Sequence, residues 1–260
     1  MILSALLSGL NLTAKIARSA VSVLLAMLLL PACAGAQAQT STTPLKIGII
    51  GSGRVGQMLG IAFLNEQYEV MLGTRDPMKE SVTKWQAENP SGKTGNFEEA
   101  AKFGDILVLA VAGRIVEDAI ELAGKTNFEN KIIIDVTNPI ASTPPVNGVL
   151  QYFTDMNESL MEKIQKFIPD AKLVKAFNSV GSDFFYKPDL AGMPPSMFIC
   201  GNDDEARKVV GKIVESFGWE LEDMGKIEAA RAIEPLCILW CIPGFLNNEW
   251  QHAFKLLRLT

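Results

Sequence analysis

From Leu45 onward the chain alternates short runs rich in Ile, Val, Leu and Phe with longer amphipathic stretches, and this alternation restricts the fold more than any single residue does. Side chains alternate across a strand with period two, whereas apolar residues recurring every three to four positions mark one face of a helix. Strands and helices that take turns along a chain require parallel strands joined by helical crossovers. The expected class is therefore α/β, a doubly wound, mainly parallel sheet. Strands are expected near "LKIGII", "YEVMLG", "DILVLAV", "KIIIDV", "KLVKAF", "SMFICG" and "WELEDM". Helices are expected near Val55–Asn65, Lys79–Glu88, Phe97–Phe103, Ile115–Leu122, Glu158–Phe167 and Asp204–Ser216, the last capped by Asn202 or Asp203. Glu228–Leu257 reads as short C-terminal helices broken at Ile242-Pro243-Gly244.

With 260 residues, 48% of them apolar, the chain can bury a substantial core. Its net charge of −5 comes from interleaved acidic and basic residues, so no basic face points to nucleic acid. Cys33, Cys200, Cys237 and Cys241, with the single His252, form neither metal-binding pairs nor a disulfide framework. Cys237 and Cys241 are spaced to share one helical face beside Leu236 and Trp240, as packing residues do. Trp240, Trp250 and Phe254 are expected to fill a core or a subunit interface. These features favour small-molecule chemistry.

Residues 1–42 read as an export signal or anchoring leader, and 43–260 as the folded domain. Lys15 and Arg18 precede the uncharged run Ala20–Leu30, which is followed by "PACAGAQAQT". Cleavage at Ala34-Gly35-Ala36 or Ala36-Gln37-Ala38, lipidation at Cys33 after "LPAC", and an uncleaved leader are the alternatives.

"KIGIIGSGRVG" places Gly51-x-Gly53-x-x-Gly56 between an apolar strand and a helix. The three glycines serve a tight turn, close approach of backbone to a pyrophosphate, and close packing of helix on strand. The helix then offers its free N–H groups and dipole to the phosphates, which makes this a Rossmann-type dinucleotide site. The second strand ends in "GTRDP". An NAD site commonly has a carboxylate there, which the extra phosphate of NADP would repel. Here Thr74 offers a hydroxyl and Arg75 a guanidinium, and Arg54 and Lys79 add positive charge, so NADP is expected. Asp76 is assigned to a turn with Pro77.

Strand carboxyl ends form the ligand crevice in such sheets. "LAVAG" (Leu109–Gly113), "DVTNP" (Asp135–Pro139) and Asn178 of "KAFNSVG" should converge on the nicotinamide end. Asn138 and Asn178 are placed either near the carboxamide or acceptor, or as ties between loops. The Pro- and Asn-rich segment "NPIASTPPVNGVLQYFTDMN" reads as a long functional loop over one sheet edge.

"KIGIIGSGRVG", "GTRDP", "DVTNP", "VKAFNSVG" and "EAARAIEPL" together resemble the NADPH-dependent coenzyme F420 reductases, also called F420-dependent NADP oxidoreductases. The same segments resemble the cytosolic reductase domain of the six-transmembrane ferric reductases. The resemblance runs from Leu45 to Leu257. It implies that Ser52, Arg54 and Val55 lie at the pyrophosphate, and Thr74 and Arg75 at the ribose phosphate. It further implies that Ala110, Val111 and Ala112 run along the cofactor, and that Asn138 and Asn178 lie near the nicotinamide. A homodimer is expected from the resemblance and from the apolar terminal helices. The loop Ala141–Asn157 and the leader depart from the cytosolic reductases.

Fewer than about forty residues follow the last expected strand, too few for the large helical domain of hydroxy-acid dehydrogenases or imine reductases. No nucleophile set and no convergent carboxylate pair is visible, whereas hydride transfer between two rings needs orientation above all. The expected activity is NADPH-dependent hydride transfer to a small flavin-like or deazaflavin acceptor, serving as a second substrate. The alternatives are a non-catalytic NADP-binding sensor or scaffold and a ferric-reductase-like enzyme. The leader places the domain on the periplasmic side, exported or membrane-attached through the leader only, where NADPH is scarce. A start downstream of the leader makes the protein cytoplasmic.

Overall fold

In a computed structural model, residues 44–190 and 192–259 are described. The expected leader over residues 1–42, with Cys33, lies outside the described residues. The chain runs β1 (Lys46–Ile50), α1 (Arg54–Asn65), β2 (Glu69–Gly73), α2 (Glu80–Glu88), β3 (Lys93–Gly95), α3 (Phe97–Phe103) and β4 (Ile106–Leu109). It continues through α4 (Val116–Ala123), β5 (Ile132–Asp135), α5 (Leu160–Phe167), β6 (Lys172–Lys175), β7 (Ser196–Ile199), α6 (Asp204–Ser216), β8 (Glu220–Asp223), α7 (Ala230–Ile233) and α8 (Leu236–Asn247).

Six strands form a parallel sheet in the order β3-β2-β1-β4-β5-β6. This is the Rossmann-type doubly wound fold, in which the strand order reverses between β1 and β4 and leaves a crevice at their carboxyl ends. β7 and β8 pair in parallel as a second small sheet, joined to the first by an antiparallel bridge from Cys200 to Lys175.

The pleat of the strands divides the core in two. Ile47 and Ile49 of β1, with Ile106 and Val108 of β4, pack on one face with Leu59, Phe63 and Phe217. Ile50, Leu107 and Leu109 point the other way, onto Phe97, Ile120 and Ile133. Each such aliphatic side chain, fully buried, contributes about 1.5–3 kcal/mol.

The structure departs from the sequence-based expectations in three places. β3, with sequence KTG, is too short to show any period, and its pairing with β2 alone makes it a strand. α8 is not broken at Pro243 but runs through it to Asn247, where Asn248 turns left-handed at φ 58°. Gly244 serves packing instead, because a Cβ there would stand 2.3 Å from the Trp250 ring. Beyond Asn248 the tail is not helical; it runs beside β7, where Ser196 N donates to Phe254 O at 2.9 Å. Of the two expected caps for α6, Asp203 fills the position, its side chain accepting from Ala206 N.

Candidate functional site

The crevice is built from the turn after β1. Gly51 has φ +131°, donates its N–H to Gly73 O at 3.2 Å, and would drive a Cβ to 2.3 Å from Ala110 O. The ends of β1, β2 and β4 therefore meet at a point where only glycine fits. A Cβ on Gly56 would lie 2.0 Å from Gly51 O, so α1 packs directly onto the turn. Gly53, by contrast, faces open space: a Cβ there would meet nothing within 4 Å. It is the N-cap of α1 without a side-chain cap, and the first turn holds no acidic residue. The free N–H groups and positive dipole end of α1 thus face the crevice uncompensated, as an anion site requires.

Two adjoining cavities, of about 260 and 370 Å³, share Gly53, Ala110, Val111 and Ala112. The first is bounded by Gly51, Ser52, Thr74, Arg75, Asp76, Lys79, Phe97 and Ile115. The second is bounded by Arg54, Val55, Gly113, Arg114, Val136, Thr137, Asn138 and Ile140. Of the residues singled out in the sequence, Gly56 and Asn178 stand outside both linings. Arg75 and Lys79 are exposed at the first cavity, and among the described residues neither side chain makes an ion pair or hydrogen bond. Two cations without a partner among the described residues, with Asp76 as the one carboxylate in the lining, stand beside an uncapped helix start and give that cavity a net positive character.

Several of these side chains are held by hydrogen bonds within the protein. Thr74 is buried, and its hydroxyl accepts from Ser52 Oγ at 2.9 Å and from Asp76 N at 3.2 Å. It ties the loop together at the lining of the first cavity. Asp76 turns inward on its own loop, accepting from Met78 N at 3.0 Å, as its place before Pro77 suggests. Arg54 is held by Asp183, with Nε 3.1 Å from Oδ1. Its charge is therefore paired at the surface instead of standing free. Asn138 Nδ2 donates to Asn178 O at 2.8 Å, and Asn178 Nδ2 donates to Asn138 Oδ1 at 3.1 Å and to Ile233 O at 3.1 Å. Of the two roles open to these asparagines, the structure displays the tie between loops.

A convergent carboxylate pair, not seen in the sequence, lies beneath the second cavity. Lys175, Asp135 and Glu234 are all buried, with Lys175 Nζ 2.7 Å from Asp135 Oδ2 and 3.0 Å from Glu234 Oε1. Lys175 Nζ also donates to Thr137 O at 2.8 Å. Burial pulls the ammonium's pKa down, but the two carboxylates outweigh that and hold it up at about 12. Asp135 accepts from Thr137 N at 2.9 Å and Thr137 Oγ1 at 2.7 Å. Glu234 accepts from Leu160 N at 2.9 Å and Met161 N at 3.0 Å, at the positive end of α5. Burial likewise pushes the neighbouring Cys200 thiol up to about 12, which keeps it an inert packing group. The signals were present: a lysine inside the apolar run "KLVKAF" and an aspartate closing "KIIIDV" both sit where a strand is buried on two faces.

Residues 46–139 match the family model for NADP oxidoreductase coenzyme F420-dependent proteins. The chain is 27% identical to Metalloreductase STEAP3 of Rattus norvegicus over 82% of this chain and 41% of that protein. It therefore spans under half of that relative's length. It is 26% identical to the F420-dependent NADP reductase of Methanocaldococcus jannaschii over 83% of this chain and 98% of that one. A crystal structure from Arthrobacter sp. FB24, provisionally named an F420-dependent NADP-reductase, superposes with a TM-score of 0.77 at 29% identity, covering 82% of this chain and all of that one.

Proposed function

We propose that this NADP-dependent oxidoreductase, similar to the coenzyme F420-dependent NADP oxidoreductases, passes hydride between NADPH and a flavin-like or deazaflavin acceptor in the two-part crevice. The observation that carries the reading is the pair Arg75 and Lys79, without ion-pair partners among the described residues, at the cavity that also receives the uncapped start of α1. In this reading the α1 N–H groups and Gly53 receive the pyrophosphate, and Arg75 and Lys79 receive the ribose phosphate. Ala110–Ala112 give a side-chain-poor path to the second cavity. When bound, NADPH supplies the hydride. The chain's own part is to hold two rings in register and keep water from between them, which needs no acid or base.

The test is to mix the purified protein with NADPH and, separately, with flavins, deazaflavins and ferric chelates. Oxidation of NADPH with a deazaflavin or flavin supports the proposal; no oxidation above the protein-free rate with any acceptor removes it. Turnover with ferric chelates alone, two ferric ions reduced per NADPH, favours instead a metalloreductase-like activity, a reading supported by the likeness to the rat protein.

A further inference from the structure

The cluster of Lys175, Asp135 and Glu234 touches neither cavity directly, yet its contacts end on a turn that does. Asp135 and Lys175 together hold three groups of Thr137: its N–H, its hydroxyl and its carbonyl. Thr137 lines the second cavity with Val136 and Asn138. One layer above, Asn138, Asn178 and the carbonyl of Ile233 join the same three chain segments by amide hydrogen bonds. The end of β5, the end of β6 and the end of α7 are therefore cross-tied twice, once by charge and once by amides.

The formal charge of the cluster points the same way. One ammonium against two carboxylates leaves a net negative charge in a fully buried site, which is costly unless hydrogen bonds satisfy it. Glu234 meets this with the N–H groups and dipole of α5. Asp135 meets it with the turn itself, so the turn cannot relax without exposing a buried carboxylate. A pair of aliphatic residues would hold the strands together without that constraint.

We infer that Lys175 and Asp135 are positioning residues that fix the Val136–Asn138 turn as one wall of the second cavity, through the three hydrogen-bonding groups of Thr137. The functional half of this inference rests on the proposed NADPH site; the structural half does not. Two variants test it: Lys175→Met, which removes the donor to Thr137 O, and Asp135→Ala, which removes the acceptor of Thr137 N and Oγ1 and leaves Lys175 paired with Glu234 alone, at no net buried charge. Amide hydrogen exchange should quicken at Thr137 and Asn138 while the glycine-turn amides of Ser52–Gly56 keep their protection. Binding of adenosine 2′,5′-bisphosphate, which reports only the first cavity, should be unchanged. Hydride transfer from NADPH should fall on the order of 100-fold, the consequence of a small misplacement of reacting groups. Unchanged exchange at the turn, or a quickened turn with wild-type turnover, overturns the assignment. Equal loss at both cavities, or failure of both variants to fold, also overturns it, since the cluster would then be a prop of the whole domain. If the wild-type protein neither binds nor oxidises NADPH, it is the proposed function that fails; the exchange comparison still decides whether the cluster fixes the turn.

Discussion

Ser52 Oγ lies 2.9 Å from Thr74 Oγ1, a hydrogen bond that joins the turn after β1 to the end of β2. The two halves of the first cavity are thereby fixed to each other by side chains rather than by backbone alone. Replacing Thr74 with Val keeps the shape but leaves Asp76 N–H without its hydroxyl acceptor. Losing such a buried partner costs about 1–2 kcal/mol. The expected outcome for Thr74→Val is a lower urea midpoint with an unchanged slope, together with weaker NADPH binding. An unshifted midpoint would show that the bond contributes nothing.

Arg75 makes no ion pair or hydrogen bond through its side chain among the described residues, so its removal should be felt by ligand and not by fold. Arg75→Ala should weaken NADPH binding relative to NADH by about 1–3 kcal/mol, the worth of a charge-assisted contact to a phosphate. Lys79→Ala should act in the same direction but less, because an ammonium makes a point contact rather than a two-pronged one. Titration calorimetry with both nucleotides decides it: equal losses for NADPH and NADH would mean that the guanidinium does not meet the ribose phosphate.

The sheet and the glycine turn could be read from the sequence because local pattern determines them. The continuous apolar runs "KIGII" and "ILVL" report strands buried on both faces, and Gly51 and Gly56 report a backbone approach that no other residue tolerates. What the sequence hid was pairing across distance. Arg54 and Asp183 are 129 positions apart, and Lys175 meets a carboxylate from each side of the chain, so no window of residues reveals either contact. The same limit explains Asn138 and Asn178, whose positions after strands were legible but whose mutual hydrogen bonds were not. At Pro243 the local rule was overridden, since packing of Trp250 on Gly244 closes α8 further along than the proline suggests.

Gly51 and Gly53 separate folding from binding. Gly53→Ala adds a methyl group to open space at an ordinary backbone conformation, so stability should stay within about 0.5 kcal/mol of wild type. The same methyl group stands where the pyrophosphate would approach α1, and NADPH affinity should drop by about tenfold or more, roughly 1.4 kcal/mol. Gly51→Ala should do the reverse of this selective loss. Its φ of +131° costs on the order of 1–3 kcal/mol for a residue with a side chain. Contact with Ala110 O adds to that, so the thermal midpoint itself should fall. Differential scanning calorimetry beside NADPH titration distinguishes the two; a destabilised Gly53→Ala would contradict the open space seen beside it.

Stability should also respond to acid through the start of α5. Hydrogen bonds from Arg231, with Nε 3.0 Å from Glu162 Oε2, dominate over burial and hold the Glu162 carboxyl at about 2, below its ordinary 4.5. Ser159 N adds a further bond at 2.8 Å. A carboxyl with a lowered folded-state pKa binds its proton more weakly than the unfolded chain does. Its contribution is therefore complete above about pH 4.5 and is lost as pH falls toward 2. Glu162→Gln removes that linkage while keeping a hydrogen-bonding side chain at the third position of α5. Urea unfolding of both proteins across this window should show the variant losing less stability on acidification than wild type. Parallel curves would mean that the ion pair with Arg231 does not couple to folding, and that the acid response arises at other carboxylates.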